Sequence, residues 1–371
     1  MDGGTRERGN GGTREGRKEG TIEPSIVPSF HRSRVLIIQT AFLGDVVLTT
    51  PLLSVLAERH GPVDVVTTPA AAGLLENHPA VRNLVRYDKH GAGRGWRGFR
   101  QVGATLRAGR YSRVYLPHRS IRSAALALWS GAGVRIGFAD SPAALSYTTR
   151  IPRPRTGHEV DRLLALAGPL GSQPPPPVSL TLSGDDHAAA EEWLGSRGVG
   201  SKFVALAPGS IWGTKRWPYY AELASTLDRT AVIVGGPEDV PLARAIVAAA
   251  PGRVVSAAGA LTLRGSAALI QRAVVLVTND SAPLHLATAV GTPVVAVFGP
   301  TVPEIGFGPR RPGDIAVGHD GLNCRPCSSH GPQACPLGHH RCMRELSVEI
   351  VAKAVASVMS AEESRAICPR N

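Results

Sequence analysis

Short apolar runs alternate with helically patterned stretches along this chain, and they do so twice, with a proline run between the two series. The first series is RVLIIQT (34–40), VDVVTTP (63–69), NLVRY (83–87) and SRVYLP (112–117). The second is FVALAP (203–208), AVIVGG (231–236), a short segment near 254, VVLVT (274–278) and PVVAVF (293–298). Runs this short, separated by amphipathic segments, predict βαβ units and parallel sheets. GSQPPPP (171–177) reads as a stiff, extended linker. A length of 371 residues also exceeds what a single core usually serves.

The expected architecture is therefore α/β, with two similar domains in tandem and a cleft between them. The first covers 31–171, a linker follows at 172–177, the second covers 178–345, and a helix and tail close the chain over 346–371. Helices are expected over 45–60, 156–168, 183–197, 218–227, 239–250 and 263–272, from about Ser281, and over 346–362. The one at Ser281 has Pro283 in its first turn and Gly291 just past its end. Residues 1–30 are charged, Gly-rich and almost without apolar side chains, and are expected to form a disordered tail.

Charge is distributed unevenly. Residues 31–171 hold 19 Lys and Arg against 8 Asp and Glu, whereas 172–371 hold 17 against 16. Nearly all of the net +12 therefore lies in the first half, which points to an anionic partner there, or to nothing more than an arginine-favouring composition. A nucleic-acid partner would call for aromatic side chains interleaved with the basic ones, and aromatics are only 5% of the chain, so none is expected. With no apolar leader and no run near the ~18 residues of a spanning helix, a cytoplasmic protein that meets a membrane only at its surface is expected.

In an open α/β sheet, ligands bind outside the carboxyl ends of the strands, so polar groups at those ends are the candidates. Asp45 follows the first strand and is either a helix cap or a general base facing the cleft. The loop APGSIWGTKRWP (207–218) offers glycine backbone, a hydroxyl and Lys215-Arg216, which suit phosphate oxygens or simply face water. Glu238 in GGPED could accept hydrogen bonds from ribose hydroxyls or serve only at a helix start. Asp280 and Ser281 stand where backbone N–H groups and a positive helix end point out of the sheet, a ready anion site. His285, one turn on, is read as packing or hydrogen-bonded.

Gly93 to Gly98 fits G-x-G-x-x-G but does not follow a good strand, and is set aside as a dinucleotide fingerprint; no P-loop is present. Cys324, Cys327, Cys335 and Cys342 are spaced C-x2-C-x7-C-x6-C, with His330, His339 and His340 among them. In a reducing compartment this favours a structural metal such as zinc over disulfides, although the gaps match no standard zinc module. Cys368 is expected to be inert.

Taken together, RVLIIQTAFLGDVVLTTPLL, HEVDRLLALAG, APGSIWGTKRWP, IVGGPED and VTNDSAPLHLATAVGTPVVAVFGPT resemble glycosyltransferase family 9, the lipopolysaccharide heptosyltransferases, in the same order over about residues 33–360. KRWP and TNDS-x-x-x-H are similar to the heptosyltransferase II type. The resemblance implies a GT-B fold, with two Rossmann-like domains whose parallel sheets face across a cleft. It also implies inverting transfer of heptose from ADP-L-glycero-D-manno-heptose to heptosyl-Kdo2-lipid A, with no cofactor needed for catalysis. Asp45 would be the base and Lys215 would hold the diphosphate. Ser210, Thr214, Glu238, Asp280, Ser281, Ala282 and His285 would complete the donor site within the matching motifs. Ala282-Pro283 replaces the family's more usual Gly-Leu, and the cysteine loop over 322–344 is present in only some members. Arg94, Arg97, Arg100, Arg119 and Arg122 are the candidates for acceptor contact at an anionic membrane face, and a monomer is expected. Another sugar nucleotide, or Kdo2-lipid A as acceptor, is the alternative that the spacing leaves open.

Overall fold

The computed structural model describes Met1 and residues 34–367 apart from His90, Ala92 and Gln173. The tail expected over 1–30 (Met1 aside) and Cys368 lie outside the described residues. The first half runs β1 (Val35–Ile38), α1 (Leu43–Leu48), α2 (Thr50–His60), β2 (Val63–Thr67), α3 (Pro69–Leu75), β3 (Val81–Arg86), α4 (Gly95–Ala108), β4 (Arg113–Leu116), α5 (Ile121–Ser130), β5 (Val134–Phe138), β6 (Thr149–Ile151) and α6 (Glu159–Leu164). The second half runs α7 (Gly184–Ser196), β7 (Val204–Ala207), α8 (Tyr220–Thr226), β8 (Ala231–Ile233), α9 (Val240–Ala249), β9 (Val254–Ser256), α10 (Leu263–Arg272), β10 (Val275–Asn279), α11 (Ala282–Val290), β11 (Val294–Phe298), β12 (Ile315–Gly318), α12 (Arg341–Arg344) and α13 (Val348–Ile367).

Each half builds a six-stranded parallel sheet, ordered β3-β2-β1-β4-β5-β6 and β9-β8-β7-β10-β11-β12. The two orders are the same. Each reverses direction once, between β1 and β4 and between β7 and β10, which creates the crevice where doubly wound sheets take ligands. The central strands β1, β2, β7, β10 and β11 are buried along their whole length, as helices on both faces demand of a continuous apolar run.

The departures from expectation have local causes. Strands β5, β6 and β12 went unpredicted: VRIGF and TRI carry arginines, and IAVG is short and half-open, so none presents an apolar run. The single helix expected over 45–60 is two helices. Pro51 lacks the N–H that would continue the first into the second, and the hydroxyl of Thr50 donates to the Val47 carbonyl instead, at 2.8 Å. The Ser179 N–H, just beyond the proline stretch, donates to that same Thr50 hydroxyl at 3.1 Å. The helix expected over 156–168 is regular only from Glu159 to Leu164.

The halves meet along a defined seam. The N–H of Glu159 donates to the Gly306 carbonyl at 2.8 Å and Arg162 donates to the Ile305 carbonyl at 2.7 Å. Arg310 pairs with Asp161 at 2.8 Å. On the other flank Arg264 is held by Asp186 at 2.5 Å and donates to the Glu76 carbonyl at 2.7 Å. α1 lies against α11 so closely that a Cβ on Gly44 would stand 2.6 Å from the His285 ring, so only glycine fits there.

Candidate functional site

The carboxyl edges of the two sheets bound a cavity of about 1000 Å³. Its walls are the segments that leave the strands at both crevices, Gly44-Asp45 and Pro117 to Arg119 on one side, Gly209 to Trp212 and Asp280-Ser281 on the other.

Asp45 is the third residue of α1 and lines this cavity. Its carboxylate accepts from the Phe42 N–H at 3.2 Å, so it is cap and cavity carboxylate at once. Burial, and after it the carboxylate of Glu159, push its pKa up to about 6, against the opposing pull of the Phe42 N–H, His330 and Arg153. A carboxylate of raised pKa is a stronger base and is still ionised at neutral pH, which suits proton abstraction from a hydroxyl.

Glu159, the first residue of α6, is nearly buried; it accepts from Arg153 at 2.6 Å and from Arg162 at 3.4 Å. All three line the cavity. Sequence reading took HEVDR as a helix and as part of a family motif but assigned Glu159 no role, and the signal missed was a carboxylate and two arginines bracketing a strand-to-helix connection. Because Glu159 is the charge that raises Asp45, Glu159→Gln should move the acidic limb of the pH–kcat profile from near 6 to lower pH. A limb that stays in place in that variant would remove Glu159 from the role.

On the facing wall, Lys215 ends a single helical turn, Gly213–Lys215, and donates to the Asp280 carboxylate at 2.6 Å. Thr301 donates to the same Asp280 oxygen at 2.7 Å. Two residues read separately as donor contacts are thus an ion pair, buried on both sides, at the edge of the cavity. Ser281 is the N-cap of α11 and its hydroxyl makes no capping bond to the helix. Asn279 fixes the arrangement from beneath: its amide donates to the Pro208 carbonyl at 2.8 Å, and its oxygen accepts from the Trp217 N–H and the Tyr220 hydroxyl at 3.2 Å each. KRWP and TNDS are distant in sequence and meet through the Asn279 side chain and the Lys215–Asp280 pair.

Ser210, Glu238, Ala282 and His285 also line the cavity. Burial lowers His285 to about 4, so it is neutral and packs against Gly44 and, at 6.1 Å between ring centres, Phe307. Thr214 turns away: its hydroxyl donates to the Pro332 carbonyl, and it is not part of the lining. Arg216, read with Lys215 as a cation suited to phosphate, lines the cavity, and so does Asp239, which was not singled out beforehand. The Asp239 carboxylate would stand 2.1 Å from a Cβ on Gly209, which explains the glycine there. Of the five arginines named for acceptor contact, Arg119 reaches the cavity, while Arg94, Arg97, Arg100 and Arg122 lie outside it.

The four cysteines are free thiols. Among the described residues no group of three or more His, Cys, Asp or Glu side chains is placed to hold a metal ion, so the expected zinc set does not form in this arrangement. Burial, and after it the neighbouring Cys327, pushes the Cys342 thiol up to about 11. What the loop does is wall the cavity. Gln333 accepts from the Gly213 N–H at 3.1 Å and donates to the Ile211 carbonyl at 3.0 Å, and His340 bonds the Thr214 carbonyl at 2.8 Å. His330 lines the cavity between Phe42 and Trp212, with ring centres 6.4 and 6.3 Å away.

One cavity thus has a carboxylate of raised pKa on the first wall and, on the second, the Lys215–Asp280 pair, Arg216 and the start of α11. Residues 99–336 match the family model described as Glycosyltransferase family 9 (heptosyltransferase). Lipopolysaccharide heptosyltransferase 2 of Escherichia coli K12 is 27% identical over 326 residues, covering 77% of this chain and 92% of the relative. Lipopolysaccharide heptosyltransferase 1 of Pseudomonas aeruginosa is 29% identical over 324 residues, covering 79% and 86%. The crystal structure of a family 9 glycosyl transferase from Veillonella parvula superposes with a TM-score of 0.80 at 25% identity, covering 89% of this chain and 98% of that one.

Proposed function

Because this chain belongs to glycosyltransferase family 9, and is therefore a glycosyltransferase, we propose that it transfers heptose from ADP-L-glycero-D-manno-heptose to the inner core of lipopolysaccharide, with heptosyl-Kdo2-lipid A as acceptor. Likeness to relatives named as lipopolysaccharide heptosyltransferases supports the reaction class. One observation carries the mechanism: Asp45, with its raised pKa, faces across one cavity the Lys215–Asp280 pair and the start of α11.

In this reading the acceptor lies on the first half, 31–171, and the sugar nucleotide on the second, 178–345. The Asp45 carboxylate takes the proton of the acceptor hydroxyl as its oxygen attacks the anomeric carbon. The bond to the diphosphate oxygen breaks and its electron pair leaves with ADP. Attack from the face opposite the leaving group inverts that carbon. Lys215, Arg216 and the N-terminus of α11 stabilise the departing diphosphate, which is the charge a metal ion would otherwise meet. Glu238, at the end of β8, receives the ribose hydroxyls. Arg119, Arg153 and Arg162 offer cations to an anionic acceptor.

No helix among the described residues is long and apolar enough to cross a membrane, so a lipid-linked acceptor is reached from the surface, at the cytoplasmic face in this reading. The protein acts as a monomer. The test is transfer from ADP-heptose to heptosyl-Kdo2-lipid A, with Kdo2-lipid A in parallel and with a chelator present. Turnover on the first acceptor alone, unchanged by chelation, is expected. Turnover only on Kdo2-lipid A would assign the earlier transfer, and none on either with ADP still bound would sink the choice of substrates.

A further inference from the structure

We propose that the outer face of α4, with the start of α5, docks on an anionic lipid surface, Trp96 entering the headgroup layer and Arg94, Arg97 and Arg100 meeting lipid phosphates. The proposal rests on the lipid-linked acceptor of the preceding reading and gives a role to arginines that the cavity does not use.

Trp96 is 64% exposed on the first turn of α4. It is not a loose side chain: its ring stacks on Phe99 at 5.6 Å, and both rest on Trp129 of α5, at 5.6 and 5.7 Å. An indole supported from beneath and left open above is the form an interfacial anchor takes. Ile121 and Leu128 are 66% and 50% exposed, and two helical turns apart they share one face of α5. Large apolar side chains gathered on a surface mark a contact site.

The charge around them is of one sign. Between positions 90 and 158 the sequence has 12 arginines, no lysine or glutamate, and Asp140 as its one acid. Asp140 lies 3.6 Å from Arg119. Among the described residues none of Arg94, Arg97, Arg100 and Arg107 has a carboxylate partner, so their charge is available to an outside anion. α4 and α5 both follow the carboxyl ends of parallel strands, β3 and β4, so their first turns lie on the sheet edge that carries Asp45 and Arg119. A surface docked there brings the cavity mouth to the lipid. Single-stranded nucleic acid also favours rings among arginines, but by a succession of stacking rings, whereas on α4 and α5 Trp96 is the one largely exposed ring and the other large exposed apolar side chains, Ile121 and Leu128, are aliphatic.

Sedimentation of the full chain with vesicles tests this, using phosphatidylcholine alone or mixed with phosphatidylglycerol. Binding at least about tenfold tighter to the anionic vesicles is expected. Trp96→Ala should weaken it by about fivefold or more, and Arg97→Ala with Arg100→Ala by about tenfold or more, with a shallower salt dependence. Trp96→Ala should keep its thermal midpoint and its kcat on a water-soluble, delipidated acceptor, while KM for the same acceptor held in vesicles rises. Equal vesicle binding by wild type and variants overturns the proposal. So does an oligonucleotide that is bound through these residues while vesicles are not. Vesicle binding without any heptose transfer would keep this face and discard the substrate reading; transfer without vesicle binding would do the reverse.

Discussion

Asp45→Asn lowers kcat by a factor of about 10³, within the 10²–10⁴ that a positioned base contributes, and leaves ADP affinity within about twofold. The change is nearly isosteric. The amide oxygen can still accept from the Phe42 N–H, so α1 keeps its cap. The groups proposed to hold ADP, Lys215, Arg216 and the start of α11, stand on the opposite wall and lose nothing. Stability supplies a second readout. A carboxyl whose folded pKa is about 6, above its ordinary 3.8, contributes stability that is present below that ordinary value and lost as pH rises through about 6. At pH 7.5 the ionised Asp45 is therefore a cost, and the Asn variant should melt at the same temperature or higher. Full turnover would refute the base assignment. Lost turnover with a lowered melting point would mean that the residue is structural.

The second large effect is at the ion pair. Lys215→Ala leaves the buried Asp280 carboxylate with the Thr301 hydroxyl alone, and removing one partner of such a pair costs about 3–5 kcal/mol. A melting point several degrees lower is expected, together with ADP affinity weakened by about tenfold or more. The two losses separate in Lys215→Met with Asp280→Asn. With no charge left unpaired, stability should return towards wild type, while donor affinity and kcat stay low because the Lys215 ammonium is gone and only Arg216 is left to meet the diphosphate. If that double variant recovers activity as well as stability, Lys215 serves the fold and the phosphate contact lies elsewhere, with Arg216 next in line.

Much of the fold was legible because buried parallel strands must be apolar throughout. VLII, VALA and VVAVF identify themselves, and the proline run between the two series places the halves. Strands with one open side carry no such obligation, which is why TRI and IAVG passed unnoticed. At the site, Asp280, which follows a buried strand directly, and Asp45, in the first turn of the helix after β1, could be placed at the sheet edge from position alone. What could not be read was pairing. Nothing in a linear sequence says that Lys215 closes on Asp280, that Glu159 lends its field to Asp45, or that Thr214 spends its hydroxyl on Pro332. The cysteine loop is instructive in another way. Its spacing drew attention to the thiols, whereas its packing makes it a wall that carries His330 to the cavity. Among the arginines, composition recorded the charge and only the fold could divide Arg119 from Arg94, Arg97, Arg100 and Arg122.

The shared strand order of the two sheets has one more consequence. Each half owns a complete crevice of its own, and neither borrows a strand from the other to make it. Recognition of what is given away and recognition of what receives it are therefore separable inheritances. On the function proposed above, residues around Glu238 can drift towards another nucleotide without disturbing those around Arg119, and the reverse holds equally. What must stay matched is the seam, from the strip where Gly44 touches His285 to the Arg162, Arg264 and Arg310 contacts, since that is where the two lineages of change have to agree.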